Sequence, residues 1–174
     1  MTKITTIILL VSALALAACN NPNKNRAGAG AGAGMAGAGG ISAGALGDPN
    51  DPNSVAYFNQ TIGNLVHFSV DQSTLSPEAQ GILAGQAQWL NQHPSATAVI
   101  EGHADEQGTR EYNLSLGARR AASVQSFLVS QGVPANRIRT ISYGKERPLE
   151  VCSEEACYAK NRRAVTVLSV GSGV

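Results

Sequence analysis

A chain of 174 residues, 43% hydrophobic and 14% charged, is long enough for about one domain with a substantial core and too short for two. Thirteen Lys and Arg stand against twelve Asp and Glu, so no basic excess points to nucleic acid or to an anionic membrane surface.

The chain starts "MTKITTIILLVSALALAAC", with one base at Lys3, an apolar stretch from Ile7 to Leu16 and small residues before Cys19. That stretch has the length of a secretory signal and falls short of the roughly 20 apolar residues of a spanning helix. The tetrapeptide Leu16, Ala17, Ala18, Cys19 resembles the lipobox of bacterial lipoproteins. The resemblance implies cleavage of residues 1–18 and acylation of Cys19; a plain signal peptide with a chance Cys is the alternative. Removing residues 1–18 takes away Lys3 and no acid, which leaves the mature chain formally neutral. Each buried CH₂ of an acyl chain contributes about 0.8 kcal/mol, so several chains make anchoring effectively permanent. In such lipoproteins an Asp after the Cys retains the protein in the inner membrane; Asn20 stands here, which favours the outer membrane.

From residue 19 to residue 54 the sequence is Gly/Ala-rich and then turn-forming ("GDPNDPNS"), unable to bury enough apolar surface to offset its chain entropy. It is expected to be a flexible tether that spans about 120 Å fully stretched; silk-like stacking of its Gly-Ala repeats is the competing reading. Residues 55–174 are expected to fold. "NLVHFSV" (64–70) is a β-type run, and "SPEAQGILAGQAQWLNQHP" is a helix capped by Ser76 with Pro77 in its first turn and Pro94 beyond its end. Ala79, Ile82, Leu83, Trp89 and Leu90 form its apolar face. "ATAVIEGHA" is a second strand, 112–131 a second helix stopped by Gly132 and Pro134, "RIRTISYG" a third strand and "RRAVTVLSV" the last, after a short acidic segment. The order βαβαβ-β predicts an α/β (α+β) sandwich, a mixed sheet with helices packed on it.

In an exported chain whose Cys19 is acylated, Cys152 and Cys157 remain as a pair in an oxidising compartment. They lack the neighbours of a zinc site and the Cys-x-x-Cys spacing of a redox motif, so a structural disulfide is expected. The densest charge lies in "EGHADEQGTREYNLSLGARRA" (101–121). At 100° per residue, Asn113, Leu116, Gly117, Arg120, Val124, Phe127 and Leu128 share one face of the second helix, and Arg119 points about 120° away. Arg120 thus stands among apolar neighbours, where an unpaired charge is costly. Asp105, in the strand-to-helix connection, is the acid best placed to meet it. Two readings stay open: an internal Asp105/Arg120 salt bridge, or an opposite-charge pair that holds a zwitterionic ligand. His103 and Asp105 lack a third metal ligand, and no Gly-x-Ser-x-Gly elbow, catalytic triad or phosphate loop is visible, so neither a metal, a cofactor nor an enzymatic activity is expected. His67 and His93 fall on a strand and a helix end.

Residues 64–167, through Asn113-x2-Leu116-Gly117-x2-Arg120-Ala121-x2-Val124-x3-Leu128 together with "EGHADE", "SYGKERP" and "NRRAV", resemble the OmpA-like peptidoglycan-binding domain family. With the lipobox and tether, the chain is most similar to that family's lipid-anchored members. The resemblance implies non-catalytic binding of peptidoglycan through the meso-diaminopimelate of uncrosslinked stem peptides. Asp105 would take its ammonium and Arg120 its carboxylate; Asn113 would support the helix start, and backbone amides near Phe68 and Ser69 would help. It also implies a place in the Tol-Pal system that supports outer-membrane invagination during cell division, with TolB and other Tol proteins as partners. Two departures stand out. Ser69 and Thr74 occupy positions where Asp is common, and the two Cys of "VCSEEACYAKNRRAV" are absent from many members. Asn161, Arg162 and Arg163 match the family's terminal motif and are expected to be structural charges around the sheet. A protein-only assembly lipoprotein and a flagellar stator domain, which requires an uncleaved membrane helix, are the rival readings.

Overall fold

A computed structural model describes residues 46–170, with only the backbone at Val170. The expected signal peptide, the acylated Cys19 and most of the tether lie outside the described residues. In chain order the elements are α1 (Val55–Tyr57), a π-helical turn (Phe58–Gly63), β1 (Leu65–His67), α2 (Pro77–Gln92), β2 (Ala96–His103), α3 (Arg110–Ser130), a 3-10 turn (Ala135–Arg137), β3 (Ile138–Gly144), α4 (Glu155–Asn161) and β4 (Arg163–Val170). The four strands form one sheet in the order β1-β4-β2-β3, antiparallel except for the parallel pair β2/β3 that α3 connects. This is the mixed α/β sandwich expected from the element order.

Local chemistry sets the helix limits. The Ser76 hydroxyl accepts from the Ala79 N–H at 3.1 Å with Pro77 at the first position, and the Thr109 hydroxyl accepts from the Tyr112 N–H at 3.2 Å. At the far end of α3, Gly132 takes φ +92°; its N–H donates to the Val129 carbonyl and the Val133 N–H to the Leu128 carbonyl. Val133 and Leu128, both buried, supply the apolar contact that accompanies this Schellman closure.

Alternate residues of β2, namely Ala96, Ala98, Ile100 and Gly102, are buried under the helices. Gly102 and Gly117 bring β2 and α3 into backbone contact, since a Cβ on Gly102 would lie 1.9 Å from the Gly117 carbonyl oxygen. Phe58, Leu83, Leu90, Ile100, Val124 and Leu128 form the centre of the core, each contributing about 1.5–3 kcal/mol by burial. Gln86 lies on the same face of α2 as Leu83 and Leu90; it donates to the Gly63 carbonyl and accepts from Thr166, so its burial leaves no polar group unpaired.

Three sequence expectations are corrected here. Residues 46–54, read as the end of the tether, are docked on the domain. Leu46 packs against the core, the Ala56 N–H donates to the Leu46 carbonyl, and the Trp89 indole N–H donates to the Pro52 carbonyl at 2.8 Å. A buried Trp requires an acceptor for that N–H, and the Asp-Pro turns of this segment deliver one. The first strand, expected over 64–70, ends at His67 because the Ser69 and Gln72 carbonyls turn inward to Arg120. The acidic segment after β3 contains a helix, α4.

Candidate functional site

The inward-facing residues expected for α3 are found at Asn113, Leu116, Gly117, Arg120, Val124 and Leu128, with Phe127 half-buried and Arg119 exposed. Arg120 is 0% exposed. Its Nε donates to the Gln72 carbonyl at 2.8 Å, Nη1 to the His103 carbonyl at 2.8 Å and Nη2 to the Ser69 carbonyl at 3.1 Å. The guanidinium lies over the Phe68 ring at 5.2 Å. Burial lowers its pKa to about 10, with Asp105 and Asp71 working in the opposite sense, so the group is cationic at neutral pH. A guanidinium has five N–H donors, and backbone carbonyls occupy three of them without neutralising its charge.

No carboxylate forms an ion pair with Arg120 among the described residues, which corrects the internal Asp105/Arg120 salt bridge. Asp105, 7% exposed, pairs instead with Arg162, its Oδ2 accepting from Nη1 at 3.2 Å, and its Oδ1 accepts from the Gln107 N–H. Arg162 also donates to Glu155 and, through Nε, to the Phe68 carbonyl. Burial works against the Arg162 charge, but the hydrogen bonds from Glu155 and Asp105 outweigh it and raise its pKa. In the sequence Arg162 is expected only to be a structural charge around the sheet. Its specific partner lies 57 residues away, beyond any local spacing.

The loops after β1 and β2 and the first turns of α3 enclose a cleft of about 230 Å³, lined by Val70, Asp71, Asp105, Tyr112, Asn113 and Leu116, among others. Asn113, 1% exposed, donates through Nδ2 to the Gln107 carbonyl at 2.7 Å and pins the loop that carries Asp105 to the helix start. Arg120 sits behind this cleft under the 69–72 turn. The Phe68 N–H is already donated to the Arg162 carbonyl, so of the two amides expected to serve a ligand only that of Ser69 meets no acceptor among the described residues. Asp71, one residue past the β-type run 64–70 and not singled out by the sequence, stands in the cleft at φ +56° and accepts a hydrogen bond from the Tyr112 hydroxyl.

His103 is 2% exposed and its ring lies near Glu101 and Tyr143. Desolvation, with Arg163 and Arg147 adding to it, lowers its pKa to about 3, so it is neutral at physiological pH. Among the described residues no group of three His, Cys, Asp or Glu side chains could hold a metal ion. His67 is on β1 and His93 caps α2, stacked on Trp89 at 3.8 Å. Cys152 and Cys157 are joined in a disulfide with a Cα–Cα distance of 6.0 Å; it closes the segment that carries Glu155.

Residues 67–162 match the OmpA family. The chain is 48% identical over 173 residues to a peptidoglycan-associated lipoprotein of Mesorhizobium japonicum, covering 99% of this chain and 96% of that one. It is 52% identical over 138 residues to a peptidoglycan-associated lipoprotein of Brucella melitensis, covering 79% of each. Among solved structures, the peptidoglycan-associated lipoprotein from Burkholderia pseudomallei superposes with a TM-score of 0.63 at 38% identity, covering 71% of this chain and 98% of that one. A C-terminal domain of Helicobacter pylori MotB shares the fold at 20% identity and a TM-score of 0.58, covering 62% of this chain and 85% of that one. With the sheet order, the α3 pattern and these likenesses in agreement, the chain belongs to the OmpA family, among its peptidoglycan-associated lipoproteins.

Proposed function

We propose that the cleft holds the free end of meso-diaminopimelate in uncrosslinked stem peptides, without catalysis. The observation that carries this reading is the state of Arg120: a buried cation held by carbonyls alone, with two N–H donors unused, a few residues from a cleft that contains a carboxylate. A ligand carboxylate completes Arg120 and a ligand ammonium meets Asp105, a pairing that suits a zwitterion. Because the 69–72 turn covers Arg120, binding requires that turn to shift and present the Ser69 N–H alongside the guanidinium. No helix among the described residues is long and apolar enough to cross a membrane. The lipobox-like Cys19, once acylated, would anchor the domain in the outer membrane, which Asn20 after it favours, with the domain in the periplasm. There it would act in the Tol-Pal system, with TolB and other Tol proteins as partners, during the envelope constriction of cell division.

Co-sedimentation with murein sacculi tests the reading: Asp105→Ala and Arg120→Ala, each checked for a cooperative thermal melt, are expected to stay in the supernatant. Retention of both at the wild-type level contradicts it. The Asp105–Arg162 pair favours a second reading, a protein-only envelope lipoprotein in which Asp105 serves structure alone. In that case a diaminopimelate-containing muropeptide leaves the backbone resonances of 69–72 and 105–113 unmoved.

A further inference from the structure

Asp105 does not carry its charge into the cleft alone. Arg162 donates to it through Nη1 and to Glu155 through Nη2, so one guanidinium is shared by two carboxylates. Without Glu155 the Asp105–Arg162 pair is neutral; with it the cluster keeps one net negative charge. An ammonium brought to Asp105 is drawn more strongly by the anionic cluster than by the neutral pair.

Glu155 stands in the first turn of α4, and little holds that turn. A helix of seven residues is too short to be stable by its own hydrogen bonds, and Glu154 at its N-cap makes no side-chain cap bond. The far end is pinned: buried Asn161 accepts from the Leu149 and Glu150 N–H groups at 2.7 and 3.1 Å and donates to the Glu150 carbonyl at 2.8 Å. The near end, residues 153–156, is exposed. What closes it is the disulfide between Cys152 and Cys157, which brackets Glu155. Both cysteines are half-buried beside exposed Val151, Ser153 and Ala156, so an attacking thiolate has access to them.

We infer that Glu155 is a positioning residue for ammonium binding at Asp105, and that the Cys152–Cys157 disulfide is a redox switch on it, opened by a dithiol of the thiol–disulfide oxidoreductase class. This rests on the reading of the cleft as a zwitterion site. A thiolate of the dithiol attacks one sulfur to form a mixed disulfide, which its second thiol resolves. The dithiol gives up two electrons and two protons and becomes a disulfide; Cys152 and Cys157 become two thiols. With the bond open the first turn of α4 frays, Glu155 leaves Arg162, and the ammonium meets a neutral pair.

The test is a fluorescence-anisotropy titration of the full-length chain in detergent with a soluble muropeptide that ends in free meso-diaminopimelate and is labelled at its sugar end. Wild type and Glu155→Gln are each measured oxidised and after reduction with dithiothreitol, with thiols counted by alkylation and mass spectrometry and folding checked by a thermal melt. Reduction is expected to weaken wild type about threefold, the scale of one exposed charge pair. Oxidised Glu155→Gln is expected to show the same loss, with reduction adding nothing to it. The gap between wild type and Glu155→Gln should narrow at high salt, because Glu155 is exposed. Wild-type affinity in oxidised Glu155→Gln, or a gap indifferent to salt, overturns the role of Glu155. No effect of reduction on wild type, or an equal further loss in Glu155→Gln, overturns the switch. Each of these leaves the zwitterion reading in place, whereas absence of binding by oxidised wild type overturns that reading too.

Discussion

Arg120 and Arg162 are both buried, at 0% and 5% exposure, and both reach the segment that follows β1, yet they are satisfied by opposite chemistry. Arg120 holds three backbone carbonyls; Arg162 holds two carboxylates and the Phe68 carbonyl. Carbonyls satisfy a guanidinium's hydrogen bonds and leave its charge standing, whereas two carboxylates more than cancel it. Arg162 is thus a structural clamp with no charge to spare. Arg120 is a clamp that remains a cation, and in this arrangement it is the arginine for which a ligand anion has a use.

The two arginines should fail differently. Arg120→Ala leaves the buried His103 carbonyl without its donor, at about 1–3 kcal/mol, and leaves a cavity where a fully buried long side chain packed, at about 2–5 kcal/mol. A loss of roughly 4–6 kcal/mol in urea unfolding is expected, and Asp105→Asn should not recover it. Arg162→Ala leaves the buried Asp105 carboxylate without its cation and is expected to cost about 3–5 kcal/mol. Here Asp105→Asn in the same chain should recover part of the loss, a coupling that a double-mutant cycle measures directly. Equal coupling of Asp105 to both arginines would erase the distinction.

His103 sharpens it from another side, since its carbonyl serves Arg120 while its ring lies beside Arg163. Its folded pKa of about 3 lies below the ordinary value near 6.5, so the unfolded chain takes up a proton first as pH falls. The stability contribution is intact above about pH 6.5 and declines toward pH 3, by up to about 1.4 kcal/mol per pH unit. Chemical denaturation at pH 7 and pH 5 is expected to show this slope reduced in His103→Gln. The smallest effect belongs to the disulfide. Replacing Cys152 and Cys157 by Ser removes a short loop closure worth at most about 2 kcal/mol; the loosened Glu155 should lower the Asp105–Arg162 coupling and leave Arg120 untouched.

Much of this was legible where the determinants are local. Ser76, Pro77 and Pro94 marked α2, and helical phase separated buried Arg120 from exposed Arg119. The partner of Asp105 was not legible, because Arg162 reaches it through β4 packing rather than sequence proximity. Nor was the end of β1, which depends on a guanidinium in α3 drawing the Ser69 and Gln72 carbonyls out of the sheet. Residues 46–54 showed the turn signals of any loop, and what docks them is Trp89, some 37 residues on. Asp71, just past the β-type run 64–70, carried no signal of its own, because its left-handed backbone is a property of the turn.

A titration of the full-length chain in detergent with a soluble muropeptide ending in free meso-diaminopimelate tests the central claim most directly. Saturable binding to one site, weakened at least about tenfold by Asp105→Asn and accompanied by shifts in the amides of residues 69–72, is the predicted result. No binding, or binding that Asp105→Asn leaves unchanged, would contradict it.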